Sequence, residues 1–383
     1  MARARRPMSE RDALPAPDQI DGAPHPRETA QLIGQAPAEA AFLDAFTGDR
    51  LHHGWLLTGP RGVGKATLAW RIARFLLATP PPGGDGGLFG DAPQVPASLD
   101  IPPDHPVARR MLAGSEPGLF VLRRGPNDKG DRLMAEISVG EVRRLKSFLS
   151  LSAADGGRRV VIVDAADEMN VSAANALLKL LEEPPEATTL LLVSHQPSRL
   201  LPTIRSRCRT LRLSPLGPQD MAAALDQAGI DPGADAGALA ALSAGSVGAA
   251  VELMNLDGLA LYQELVSICA TLPRLDRARA LKLAESVAGR GAETRRDLLI
   301  ALVDLFLARL ARAGATGQPP MPEAAPGEAE VFARLAPSQQ AARAWADRAQ
   351  EIGARARHGR AVNLDPASLI LDTVLKIQTT AAA

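Results

Sequence analysis

Residues 51–78, "LHHGWLLTGPRGVGKATLAWRIARFLLA", constrain this chain more than any other stretch. Trp55, Leu56 and Leu57 predict a short buried strand, and beyond the glycines Leu68, Ile72, Phe75 and Leu76 recur at helical spacing. A glycine-rich loop between a strand and a helix N-terminus is a phosphate cradle. Its backbone N–H groups converge on one point, and the helix dipole there favours an anion. Gly59, Pro60, Arg61, Gly62, Val63, Gly64, Lys65, Ala66 and Thr67 are the candidate lining residues, with Lys65 adding a point charge.

One letter departs from the pattern. G-x-x-x-x-G-K should be followed by Ser or Thr, whose hydroxyl holds Mg²⁺, and Ala66 has none. Thr67 is no substitute, because one step along a helix swings a side chain by about 100°. A second stretch, "RRVVIVDAADEMN", repeats the departure. Residues 160–163 predict a central parallel strand ending on Asp164. A hydrolysing site places an Asp there for Mg²⁺ and a Glu next to it for the attacking water, but Ala165 follows Asp164. Sliding the frame to Asp167 and Glu168 puts that pair three residues past the strand, too displaced to serve. Asp164, and Ser194 at the end of the next strand, complete the candidate nucleotide set. Losses at both the metal and the water predict a degenerate site. Weak ATP or ADP binding and no binding at all both stay open.

The remaining pattern sets the fold class. "SAANALLKLLEEPP" predicts an amphipathic helix stopped by Pro184 and Pro185; "TTLLLVSHQ" and "TLRL" predict further strands. Strands alternating with helices argue for an α/β fold with a doubly wound parallel sheet. Residues 79–104 are dense in proline and glycine and predict a surface loop, followed by a helix within "HPVARRMLAG". After Pro215 the pattern is helical, with a leucine-rich helix over residues 297–312 and a break over 313–330, where disorder is the default. The expected organisation is a disordered tail over 1–24, the sheet domain over 25–213, a small helical lid over 214–256 and an all-helical domain over 257–383.

Composition mostly excludes. Lys plus Arg and Asp plus Glu each number 43, so no global field marks a dedicated nucleic-acid binder. Cys208 and Cys269 are too far apart to form a C-x-x-C pair, His105 alone is no metal site, and no zinc is expected. The two cysteines read as small buried apolar residues of a reducing cytoplasm. No run approaches 18 apolar residues, and the basic start "MARARRPMSERD" meets charge before any apolar core. A cytoplasmic protein without membrane contact is expected.

A third constellation, "LPTIRSRCRTLRL", carries Arg205, Arg207, Arg209 and Arg212. Such a run is either a solvated face or a source of a guanidinium for a neighbouring nucleotide site, where it stabilises the charge on a transferred phosphoryl group.

With "GPRGVGKAT", "VVIVDAADEMN", "SAANALLKLLEEPP" and "TIRSRC" in this order, residues 26–213 resemble the delta-prime family of bacterial DNA polymerase III clamp-loader subunits, which are AAA+ proteins. The resemblance implies a stator in a five-membered assembly with gamma/tau motor subunits and a delta subunit, loading a sliding clamp onto primer-template DNA. It implies an inactive nucleotide site and makes Ser206-Arg207-Cys208 the motif that lends Arg207 in trans to a motor. It further implies that the last 127 residues are the collar through which subunits assemble. Motors of the family carry an arginine in the lid helix where "GSVGAAVELM" offers Ala249 and Ala250. Membership of a DNA polymerase holoenzyme, a nucleotidyltransferase, follows without ATPase activity of the chain's own. The alternatives are an ATP-hydrolysing motor of the same family and another P-loop ATPase of DNA metabolism.

Overall fold

The computed structural model describes residues 18–29, 31–48, 50–79, 96–127, 129–150 and 157–382. Most of the expected N-terminal tail (1–17) and of the Pro/Gly loop (80–95) therefore lies outside the described residues. Packing divides the chain into two units, residues 1–224 and 225–383.

The first unit is built on five strands, β1 (Gly54–Thr58), β2 (Leu119–Leu122), β3 (Arg159–Asp164), β4 (Thr188–Ser194) and β5 (Arg209–Arg212). All pair in parallel, in the order β2-β3-β4-β1-β5. Helix α1 (Ala36–Thr47) precedes the sheet, and the long crossovers that parallel neighbours need run through α2 (Lys65–Ala78), α3 (Pro106–Leu112), α4 (Val139–Ser150), α5 (Val171–Glu182) and α6 (Pro202–Arg205). The α/β class is the expected one. β1 and β4 are buried along their whole length, which is why they read as unbroken apolar runs. β2 escapes sequence reading. It is a four-residue edge strand, mostly half-buried, and its "LFVL" is too short to separate from a helix turn.

His105 caps α3 by accepting the Val107 N–H at 3.2 Å through Nδ1. Both cysteines are free thiols, Cys269 fully buried and Cys208 partly so. Among the described residues, no helix is long and apolar enough to cross a membrane.

Helix α7 (Pro218–Gln227) spans the division between the units. The second unit is helical throughout: α8 (Ala236–Ser243), α9 (Val247–Asn255), α10 (Gly258–Ala270), α11 (Arg277–Glu285), α12 (Glu293–Thr316), α13 (Glu328–Leu335), α14 (Gln339–Ala361) and α15 (Pro366–Ala381). One apolar core runs through it from Leu239 to Ile377. α12 and α14 pack antiparallel, as the ion pairs Asp304–Arg357 (3.1 Å) and Asp297–Arg360 (3.0 Å) show. At Gly353 a Cβ would sit 2.6 Å from Asp304 Oδ1, so a side chain there would displace the Asp304–Arg357 pair.

Residues 313–330 differ from the disorder expected of them. Ala324 and Ala325 are buried, and Glu328 is inaccessible to solvent. The Glu328 carboxylate accepts Arg309 Nε and Nη2, each at 2.8 Å, the Ala324 N–H at 2.7 Å, and the Tyr262 hydroxyl. A fixed counter-charge and a backbone donor order a segment whose proline content alone predicts none.

Candidate functional site

Parallel strands deliver all their C-terminal ends to one edge of the sheet, and a crevice there is where such folds bind ligands. The register places Thr58 beside Ser194, and Asp164 beside Val193. The glycine-rich loop leaves β1 at this edge. Gly59, Gly62 and Gly64 take φ of 144°, 76° and 98°, which side-chain-bearing residues avoid. A Cβ on Gly59 would lie 2.5 Å from the Leu213 carbonyl oxygen. Gly64 is the N-cap of α2, with no side chain closing the helix end, so the turn presents bare N–H groups.

Lys65 is only 3% exposed. Its ammonium donates to the Gly59 carbonyl at 2.8 Å and to the Pro60 carbonyl. Burial lowers its pKa to about 8; Arg61 acts in the same direction, while Asp164 and Asp167 oppose. Asp164 moves the other way. Burial, with the charges of Asp18, Glu168 and Asp167, raises it to about 7 against the pull of Lys65. The Ser194 hydroxyl is fully buried with no hydrogen-bond partner among the described residues. The sequence-predicted nucleotide set, from Gly59 through Thr67 with Asp164 and Ser194, thus gathers at one sheet edge.

The loop fits an anion: a helix N-terminus without a side-chain cap, obligatory glycines and an ammonium lie together, with the orphaned Ser194 hydroxyl at the end of the neighbouring strand. The metal and water positions do not fit. Ala66 offers no oxygen beyond its backbone, and Ala165 is a buried methyl.

Four further residues lie in or around this site. Asp167, judged too displaced, reaches back so that Oδ1 accepts the His195 N–H at 2.9 Å, because a 3-10 turn at Ala166–Glu168 folds it over the end of β4. Glu168 is paired with Arg124 at 2.9 Å. Gln35, buried before α1, donates to the Val63 carbonyl (3.1 Å) and the Ser214 carbonyl (2.8 Å), and accepts the Ser214 N–H (3.2 Å). It ties the loop to the end of β5. Asp18 has a fully buried side chain paired with His25 at 3.2 Å and with Arg123. Burial favours protonation of Asp18, but the His25 hydrogen bond and the Arg123 charge outweigh it and hold its pKa below the usual carboxylate range. No periodicity marks a single buried Asp or Gln, so no sequence signal was available for either.

Arg207 and Ser206 are not at this edge. They follow α6 and precede β5, whose Arg209 is in register with Trp55 near the start of β1. Arg207 is therefore level with the N-terminal ends of the strands, about 20 Å from the glycine loop at ~3.3 Å per residue. Its side chain is about one-third exposed, and the guanidinium donates through Nη1 to the Thr203 carbonyl at 3.1 Å and pairs through Nη2 with Glu182 at 2.9 Å. The Ser206 hydroxyl donates to the same carbonyl at 3.1 Å. Of the other arginines in the run, Arg209 lies over the Trp55 ring, 5.4 Å from its centroid.

Residues 34–217 match the family described as DNA polymerase III, delta subunit. Over 173 residues, 45% of this chain and 46% of the relative, the sequence is 42% identical to the DNA polymerase III subunit delta' of Pseudomonas aeruginosa. It is 34% identical over 234 residues to that of Escherichia coli, covering 60% of this chain and 61% of the relative. A DNA polymerase III subunit gamma/tau, from Mycobacterium bovis, is 30% identical over 205 residues, 52% of this chain and 31% of its own length. The chain thus spans about half to three-fifths of the delta' relatives it matches.

Proposed function

We propose, from the match of residues 34–217 to the family described as DNA polymerase III, delta subunit, and from the similarity to bacterial delta' subunits, that this chain is a delta-prime subunit, the stator of a clamp loader. It supports ATP-driven loading of a sliding clamp onto primer-template DNA without turning over ATP itself. Its partners are gamma/tau motor subunits and a delta subunit in a hetero-pentamer. Residues 214–256 act as lid and 257–383 as collar.

Two roles follow for the two sheet edges. At the C-terminal edge, Gly59 to Lys65 and Ser194 would hold the phosphates of a nucleotide. A bound nucleotide would supply only charge and shape there, since Ala66 and Ala165 remove the metal and water ligands. At the opposite edge, Arg207 serves a neighbour's ATP site. The observation that supports this reading is the separation: about 20 Å lies between Arg207 and the chain's own loop, so its guanidinium is out of reach of the chain's own nucleotide site. An arginine finger is worth roughly 10³–10⁵ in rate where it operates.

The test is DNA- and clamp-stimulated ATP turnover of the loader reconstituted with this chain or with Arg207→Ala, with assembly followed by gel filtration. A large fall with intact assembly is expected; unchanged turnover would remove the finger role. Turnover by the isolated chain above a Lys65→Ala control would instead make it a motor.

A further inference from the structure

We infer that Glu182 is a positioning residue for Arg207, holding the guanidinium pre-formed for a phosphate on a neighbouring subunit. This rests on the reading of Arg207 as a group that acts in trans.

The pair is poorly explained by stability. Both side chains are partly exposed, 37% for Arg207 and 42% for Glu182, and ion pairs so placed contribute little. Glu182 is also the last residue of α5, with Glu183 as its C-cap. Carboxylates are least favourable at a helix C-terminus, where the carbonyl dipoles already point. What the pair does achieve is orientation. The 2.9 Å contact to Glu182 and the 3.1 Å bond to the Thr203 carbonyl grip Nη2 and Nη1 separately. An arginine has five N–H donors, so donors remain for an incoming anion.

Both partners are mounted on rigid backbone. The Leu181 carbonyl, next to Glu182, lies 2.9 Å from His53 Nε2 at the foot of β1. At Gly54 a Cβ would meet Leu181 Cδ2 at 3.0 Å and the Arg207 carbonyl at 3.1 Å, so both segments close onto β1 at this glycine. A long flexible side chain fixed in this way has already lost the rotamer freedom that docking on a phosphate otherwise removes.

The experiment uses the reconstituted loader with Glu182→Ala, Glu182→Gln, Arg207→Ala and the double variant Glu182→Ala/Arg207→Ala, measuring kcat and KM of stimulated ATP turnover. Glu182→Ala is expected to lower kcat by about three- to tenfold, the ordering cost of one long side chain, with KM unchanged. Glu182→Gln, which keeps an acceptor, should fall between. In the Arg207→Ala background Glu182→Ala should cost nothing further. An equal loss in both backgrounds, no loss when Arg207→Ala is itself damaging, or a gain in turnover would each overturn the positioning role. An Arg207→Ala loader with normal turnover would overturn the finger reading and this inference with it.

Discussion

Replacing Asp164 by Asn should stabilise the sheet unit, by an amount set by pH. The carboxyl stands beside Lys65, yet burial and three further carboxylates raise its pKa from 3.8 to about 7. At 1.36 kcal/mol per pKa unit that displacement is worth about 4 kcal/mol, and the side chain's partial exposure reduces it to about 2 kcal/mol. The sign follows from proton counting. Between pH 3.8 and 7 the folded state holds a proton that the unfolded state has released, so Asp164 weakens the fold progressively as pH rises through this window. Asn carries no such penalty. Its advantage should be near zero at pH 4, grow up to pH 7, and level off at about 2 kcal/mol above it. Urea unfolding of the full chain at several pH values, followed by tryptophan fluorescence, measures this, since Trp55 and Trp70 both lie in the sheet unit. A gain that does not vary between pH 4.5 and 8.5, or a loss at pH 8, would refute the reasoning and mean that favourable contacts hold the ionised carboxylate.

Gln35→Ala removes three hydrogen bonds to backbone groups of the glycine loop and residue 214. It should cost about 2–4 kcal/mol at roughly 1 kcal/mol each and speed amide exchange at Ser214. In the helical unit, Glu328→Ala leaves Arg309 buried without its counter-charge. Urea unfolding should show a loss of about 3–5 kcal/mol, and Glu328→Gln a smaller one.

How much of this was legible depended on periodicity. The buried strands β1, β3 and β4 and the helices α2, α5 and α12 announce themselves, because burial on both faces or along one stripe leaves a regular apolar pattern. The loop glycines were legible for another reason: φ values of 76–144° admit little else. What stayed hidden depends on single long-range partners. Glu328 orders residues 322–328 through Arg309 on α12, and Gln35 reaches Ser214 across 179 residues of sequence. The place of Asp167 is equally hidden: the 3-10 turn after β3 bends the chain so that its carboxylate accepts the His195 N–H at the end of β4.

The two chemical features of this chain lie at opposite ends of the same strands, and that has a consequence for their independence. Asp164, Lys65 and Ser194 sit where the strands end; Arg207 and Glu182 sit where they begin. Sites so far apart with no shared partner combine additively. On the proposed function, alanines at positions 66 and 165 that cost the nucleotide edge its hydrolysis would therefore leave the Arg207 edge untouched. Combining Asp164→Asn with Arg207→Ala should give the sum of the single effects on stability, within about 0.5 kcal/mol. In the assembled loader Asp164→Asn alone should leave stimulated turnover unchanged. A fall in turnover on Asp164→Asn equal to that of Arg207→Ala would couple the two edges and require this chain's own nucleotide site to take part in the cycle.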